Sequence, residues 1–125
     1  MNILKERIHE FVKKKPWASF VDLEGEFGDE MKGEYDLIMV GYPKVILWGR
    51  VNDKFADAFT QLHSDKKIKF IAEGQWSLLN YTMDGFVMDQ PIATEFKDYD
   101  EPHWLPIVLI DYDTYYENKN QSVPK

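Results

Sequence analysis

The chain is 125 residues long, with 15 Lys and Arg against 22 Asp and Glu, three His, no Cys and a formal net charge of −7. A domain of this length buries roughly two thirds of the surface its unfolded chain exposes, and a hydrophobic fraction of 44% with four Trp, seven Tyr and eight Phe excludes disorder throughout. The absence of Cys excludes a disulfide framework, a thiolate zinc site and a cysteine nucleophile. No apolar run approaches the roughly 18 residues of a membrane span, and the opening MNILKERIHEF reads as neither signal peptide nor anchor, so cytoplasmic residence without membrane contact is the expectation.

Leu4, Ile8, Phe11 and Val12 share one helical face, which predicts a helix over 2–15 that ends in Lys13, Lys14 and Lys15 and stops at Pro16. Ser19 followed by Asp22 reads as a capping box opening a short helix with Phe20, Leu23 and Phe27 inward, closed by Gly28. The acidic stretch 28–36 reads as a loop. Two apolar runs, 37–40 and 45–48, flank Gly41-Tyr42-Pro43-Lys44 and predict a hairpin covered on both faces. Asn52 caps a second long helix from Asp53 to about Ser64, its buried stripe Phe55, Ala56, Phe59 and Leu62.

Beyond it, 67–71 alternates like a strand, Glu73-Gly74 offers a turn, and 76–82 reads as the returning strand of a second hairpin. Asp84-Gly85 signals another turn, pairing 79–83 with 86–89. Pro106 demotes the run 105–110 to an edge strand or extended arm, and the last twelve residues, TYYENKNQSVPK, have no apolar period and are expected to fray. This gives one α+β domain over 1–113, with a core at 3–82, a strand and arm extension at 83–113, and a frayed tail at 114–125.

The order helix, short helix, long helix, strand hairpin resembles a winged helix-turn-helix, the stretch NDKFADAFTQLHSDKKIKFIAEGQWSLLNYT matching its third helix and wing. The likeness is one of architecture over roughly residues 3–82, in which the expected turn of about 3 to 4 residues between the second and third helices is replaced by an inserted hairpin. It implies contact with double-stranded DNA through the third helix and wing, as in a transcription regulator. The residues so placed are Arg50, Lys54, Thr60, Gln61, Lys66, Lys67, Lys69 and Gln75, although Asp53 and Asp57 share the outward helix face and groove readers favour Arg, Lys, Asn or Gln.

Charge distribution qualifies that implication. Residues 1–20 sum to +3, 21–40 to −6 and 41–70 to +3, so the whole −7 lies from residue 71 onward. A net acidic chain approaches phosphate only through a local basic face. The alternative is a protein-interaction module, binding a partner or a second copy through Phe86, Tyr99, Trp104, Tyr112, Tyr115 and Tyr116, since interface cores favour aromatics. Catalysis is not expected, nor a metal or cofactor: His9, His63 and His103 show no zinc spacing and read as surface, cap or loop residues. The carboxylate pairs Asp98/Asp100 and Asp111/Asp113 are common in acidic segments. A less favoured alternative is a Mg²⁺-dependent nuclease built on Asp84 with Glu95-Phe96-Lys97, two carboxylates for the cation and a Lys for the developing charge.

Overall fold

The computed structural model describes residues 3–72, 75–95 and 97–121. Helix α1 (Ile3–Lys14) buries Ile8 and Val12, and Lys15 N–H closes its last turn on the Phe11 carbonyl at 3.0 Å before Pro16 ends it. Helix α2 (Phe20–Phe27) carries the full capping box: Ser19 Oγ accepts from Asp22 N–H at 3.2 Å and Asp22 Oδ2 accepts from Ser19 N–H at 2.9 Å. Two orphan amides are thus satisfied, worth about 1 kcal/mol. A 3-10 turn (Gly28–Glu30) leads to β1 (Lys32–Met39) and β2 (Tyr42–Val51), so the expected loop at 28–36 gives way to strand at Lys32. Helix α3 (Asp53–Ser64) starts at Asn52, whose Oδ1 accepts from Phe55 N–H at 2.8 Å, and buries Phe55, Ala58, Phe59 and Leu62, with Ala56 half-buried.

The remaining elements are β3 (Ile68–Ile71), α4 (Gln75–Thr82), β4 (His103–Trp104), β5 (Val108–Asp111) and α5 (Tyr112–Gln121). They form two small sheets. In one, β1 pairs antiparallel with β2, and β2 parallel with β4. In the other, β3 pairs antiparallel with β5, whose second edge takes Ala18 through reciprocal bonds of 3.0 and 2.8 Å. The hairpin is bulged near its base, where Lys32 and Tyr35 both face Val51. Gly33 is required there, because a Cβ would sit 2.4 Å from the Asn52 Cα.

The main core runs from α1 to β5 and has an aromatic spine. Phe55, Phe59, Phe20, Trp48, Tyr81 and Trp104 follow one another at centroid separations of 5.9, 5.2, 5.7, 5.4 and 5.2 Å. A second, small cluster of Ile71, Val108 and Ile110 lies on the opposite face of β3 and β5, with Tyr115 packed on it.

The α+β class holds, and several finer expectations are corrected. Residues 76–82 form α4, so no wing hairpin follows α3. Ser77 and Tyr81, one helical turn apart, are both buried, and β3 gives its ladder to β5 instead. Asp84-Gly85 ends α4 rather than turning a hairpin: Gly85 has φ +81° and Phe86 N–H returns to the Tyr81 carbonyl at 3.0 Å. Pro106 precedes the strand without interrupting it, and Val108–Asp111 is buried throughout between β3 and Ala18, not an edge or arm. The expected frayed tail is helical to Gln121. Asp111 Oδ2 caps that helix by accepting from Thr114 N–H at 3.0 Å. Full covering of the hairpin holds for Val45–Trp48 but not for the run 37–40, where Leu37 is buried while Ile38 and Val40 are exposed. The turn expected at Glu73-Gly74 lies outside the described residues. Among those residues no helix is long and apolar enough to cross a membrane.

The buried Tyr81 hydroxyl donates to the Ile107 carbonyl at 2.6 Å and accepts from Phe20 N–H at 3.1 Å. Burial pushes its pKa well above the ordinary range, so it stays a neutral donor. Tyr81→Phe keeps the ring but leaves two buried backbone groups unpaired, and the expected loss is about 1–3 kcal/mol, read as a lower urea midpoint at unchanged m.

His63, expected at the surface or as a cap at the helix C-terminus, lies in the last turn of α3 but is half-buried there and stacks on Phe70 with centroids 4.1 Å apart and rings 10° from parallel. Burial first, and then the nearby Lys69 charge, lower its pKa. Its neutral form is therefore the native one, and the unfolded chain takes up the proton first as pH falls. That contribution is complete above the unfolded value near 6.5 and disappears as pH drops through the lower folded value. Unfolding free energies of the wild type and His63→Gln, measured from pH 8 to pH 5, should differ most at pH 8 and converge below about pH 6.5.

Candidate binding surface

The structure divides the residues assigned to DNA. Arg50 and Lys54 flank the start of α3, whereas Lys66 and Lys67 follow its end, a separation of roughly 18 Å for 12 residues at 1.5 Å each. Between them the exposed helix face presents Asp53 and Asp57, Gln61 Oε1 accepts from Lys5 Nζ at 3.4 Å, and Thr60 lines a small crevice with Leu37 and Phe70. Arg50, at φ +59°, opens onto a groove of about 670 Å³ together with Trp48, Phe86 and the carboxylates of Glu24, Asp36 and Asp89. Gln75 begins α4.

The aromatic set is likewise redistributed. Trp104 is fully buried in the spine and unfit to meet a partner. Phe86, half-covered, leans on Trp48 at 6.1 Å. Tyr99 ties down its own loop: its hydroxyl accepts from Thr94 and Glu95 N–H at 3.1 and 3.3 Å and donates to the Glu95 carbonyl at 3.1 Å.

Tyr112, Tyr115 and Tyr116, spaced i, i+3 and i+4 on α5, join two residues that sequence reasoning missed, Trp17 and Trp76. Five rings stand in file, Trp76, Trp17, Tyr115, Tyr116 and Tyr112, with successive centroids 5.5, 6.5, 5.1 and 4.8 Å apart. The first three contacts are near-perpendicular, at 83°, 80° and 90°. Lys69 on β3 lies 5.3 Å from the Tyr115 ring centroid and 5.8 Å from that of Tyr116. Trp17, Trp76 and Tyr116 keep 38%, 44% and 38% of their surface exposed.

Two shallow cavities flank the file, one of about 310 Å³ lined by Trp17, Ile71, Trp76 and Tyr115, the other of about 520 Å³ lined by Tyr112, Asp113, Tyr116 and Glu117. Trp17 is held in the left-handed region at φ +63°, a cost of order 1–3 kcal/mol for a bulky residue. The Ala18–Leu109 pairing just after it fixes that geometry. The signals available in the sequence were an aromatic directly after a proline helix stop and another at the second position of a helix.

The groups considered for catalysis are occupied or scattered. His9 Nε2 lies 2.7 Å from Asp111 Oδ1, joining α1 to β5 rather than standing at the surface. The His9 contact and two hydrogen bonds from Thr114 outweigh burial and lower the Asp111 pKa, which leaves that carboxylate committed to the fold. His103, expected in a loop, is in β4, with Nδ1 2.7 Å from the Glu101 carbonyl and its ring stacked on Tyr99 at 4.1 Å. Asp84 ends α4, and Glu95 and Lys97 lie in an irregular segment, so the adjacent-strand arrangement a nuclease site needs is not formed by them. Among the described residues no group of three or more His, Asp and Glu is placed to hold a metal ion. Comparison with protein-family models, with curated proteins and with solved structures finds no match for this chain.

Proposed function

We propose that the chain is a non-enzymatic protein-interaction module whose working surface is the aromatic file of α4, the α1–α2 connection and α5. The observation that carries this is the exposed Trp17–Trp76 pair, edge to face at 5.5 Å over Ile71 and Tyr115. Trp and Tyr dominate the energetic centres of protein interfaces, in patches depleted of charge. The surface that the two indoles leave in solvent costs solubility and adds nothing to the packing of the monomer.

Duplex DNA is the second reading, favoured by Lys69 beside Tyr115 and Tyr116 and by Lys66 and Lys67 just ahead of β3 in the chain. Against it stand Asp113 and Glu117 beside Tyr112, the acids on the outward face of α3, and the net charge of −7.

Two variants separate the readings: Trp17→Ala with Trp76→Ala, and Lys66→Glu with Lys67→Glu and Lys69→Glu. The double tryptophan variant is expected to lose cross-linked partner capture and self-association by at least about tenfold while keeping the native far-UV spectrum. Anisotropy of mixed-sequence duplex DNA should show no salt-sensitive binding. Binding at low salt that vanishes in the lysine variant and survives in the tryptophan variant would replace the protein reading with the DNA one.

A further inference from the structure

Resting on the reading of the aromatic file as a protein-binding surface, we infer that its occupant is a proline-rich segment of a partner protein in the polyproline II conformation, with a basic residue following the prolines at the Tyr112 end. Near-perpendicular rings make a ridged rather than a flat face, and the cavities beside Tyr115 and Tyr116 are open to an apolar ligand ring. A polyproline II helix rises about 3.1 Å per residue with three residues per turn, so the residues it turns toward one surface recur at about 9 Å. The Tyr115 and Tyr116 centroids are 5.1 Å apart with a cavity on either side, so prolines one turn apart straddle that ridge.

Such a segment has no internal hydrogen bonds and offers its carbonyls outward. Among the described residues the indole N–H groups of Trp17 and Trp76 have no acceptor, and both rings are exposed along the file. The rigid conformation of the ligand limits the entropy lost on binding, which is how aromatic-lined grooves reach useful affinity for proline segments. An extended β-strand ligand is less suited, since the file presents rings and not a row of backbone donors and acceptors.

Charge sets the direction. The cavity at the Tyr112 end carries Asp113 and Glu117, neither in an ion pair among the described residues. Lys69 lies toward the Tyr115–Tyr116 ridge. The carboxylate end therefore matches a ligand Arg or Lys, and the overall charge of −7 favours encounter with a basic segment.

The test uses the full chain, ¹⁵N-labelled, titrated with three synthetic peptides: eight prolines followed by two arginines, eight prolines followed by two glutamates, and a glycine–serine octamer followed by two arginines. The four indole N–H signals report position. The proline–arginine peptide is expected to shift Trp17 and Trp76 and leave the core Trp48 and Trp104 unmoved, and to bind at least about tenfold more tightly than either control. Asp113→Asn with Glu117→Gln should erase the preference for arginine over glutamate while proline binding persists. No shift at millimolar peptide, equal binding of the glycine–serine peptide, or a preference for glutamate overturns the proposal. If the peptides fail while partner capture still depends on Trp17 and Trp76, only the proline ligand is lost; if capture is also indifferent to both tryptophans, the interaction surface falls with it.

Discussion

One oxygen atom holds the two halves of this fold in register. The Tyr81 hydroxyl is buried between the first amide of α2 and the carbonyl of Ile107, partners 61 and 26 residues away in the chain. An unmade hydrogen bond inside a core costs more than a made one returns, so displacing any one of the three segments leaves a buried polar group unpaired. Tyr81 can reach both groups only if α4 lies against the start of α2 and the approach to β5. That placement forbids α4 from being the second strand of a wing. It also sets Trp76, at the other end of the same helix, against Trp17 on the far side of the Ala18–Leu109 pairing.

What the sequence made legible was local chemistry. The capping box at Ser19, the Asn52 cap and the helical periods of α1 and α3 involve residues at most a few positions apart, and each has the hydrogen bonds it advertises. The α4 segment was misread because Trp, Tyr and Thr favour strands, while the interaction that makes it helical depends on residues no local window contains. β5 was misread for a related reason. Proline in an apolar run signals an edge only if it lies within the ladder, and Pro106 stops two residues short of it. The acidic, tyrosine-rich end has little periodicity of its own; its helix is nucleated by Asp111, which is fixed in turn by His9 from the other end of the chain.

The candidate surface was half legible for the same reasons. Tyr112, Tyr115, Tyr116 and Lys69 were all named, but in two separate sites, because a tyrosine in an acidic stretch and a lysine in a basic one carry opposite labels in sequence. Register decides otherwise: Lys69 pairs with Ile110 across the sheet, and α5 begins immediately after β5, so the lysine and the tyrosines face one another. The basic group assumed around α3 breaks for an equally simple reason, since a rigid helix holds its two ends apart.

The outer face of β3 and β5 explains why the rings stand where they do. Ile71, Val108 and Ile110 need cover, and α5 supplies it mainly through Tyr115. Trp17 and Trp76 extend that cover from neighbouring elements, yet each leaves more than a third of its surface in solvent. A smaller apolar residue at either position would shield three aliphatic side chains while leaving less apolar surface in solvent. Stability alone therefore accounts for some aromatic cover but not for large, exposed indoles arranged edge to face. The excess over what the fold needs is the physical ground for reading this face as a place where another chain completes the packing.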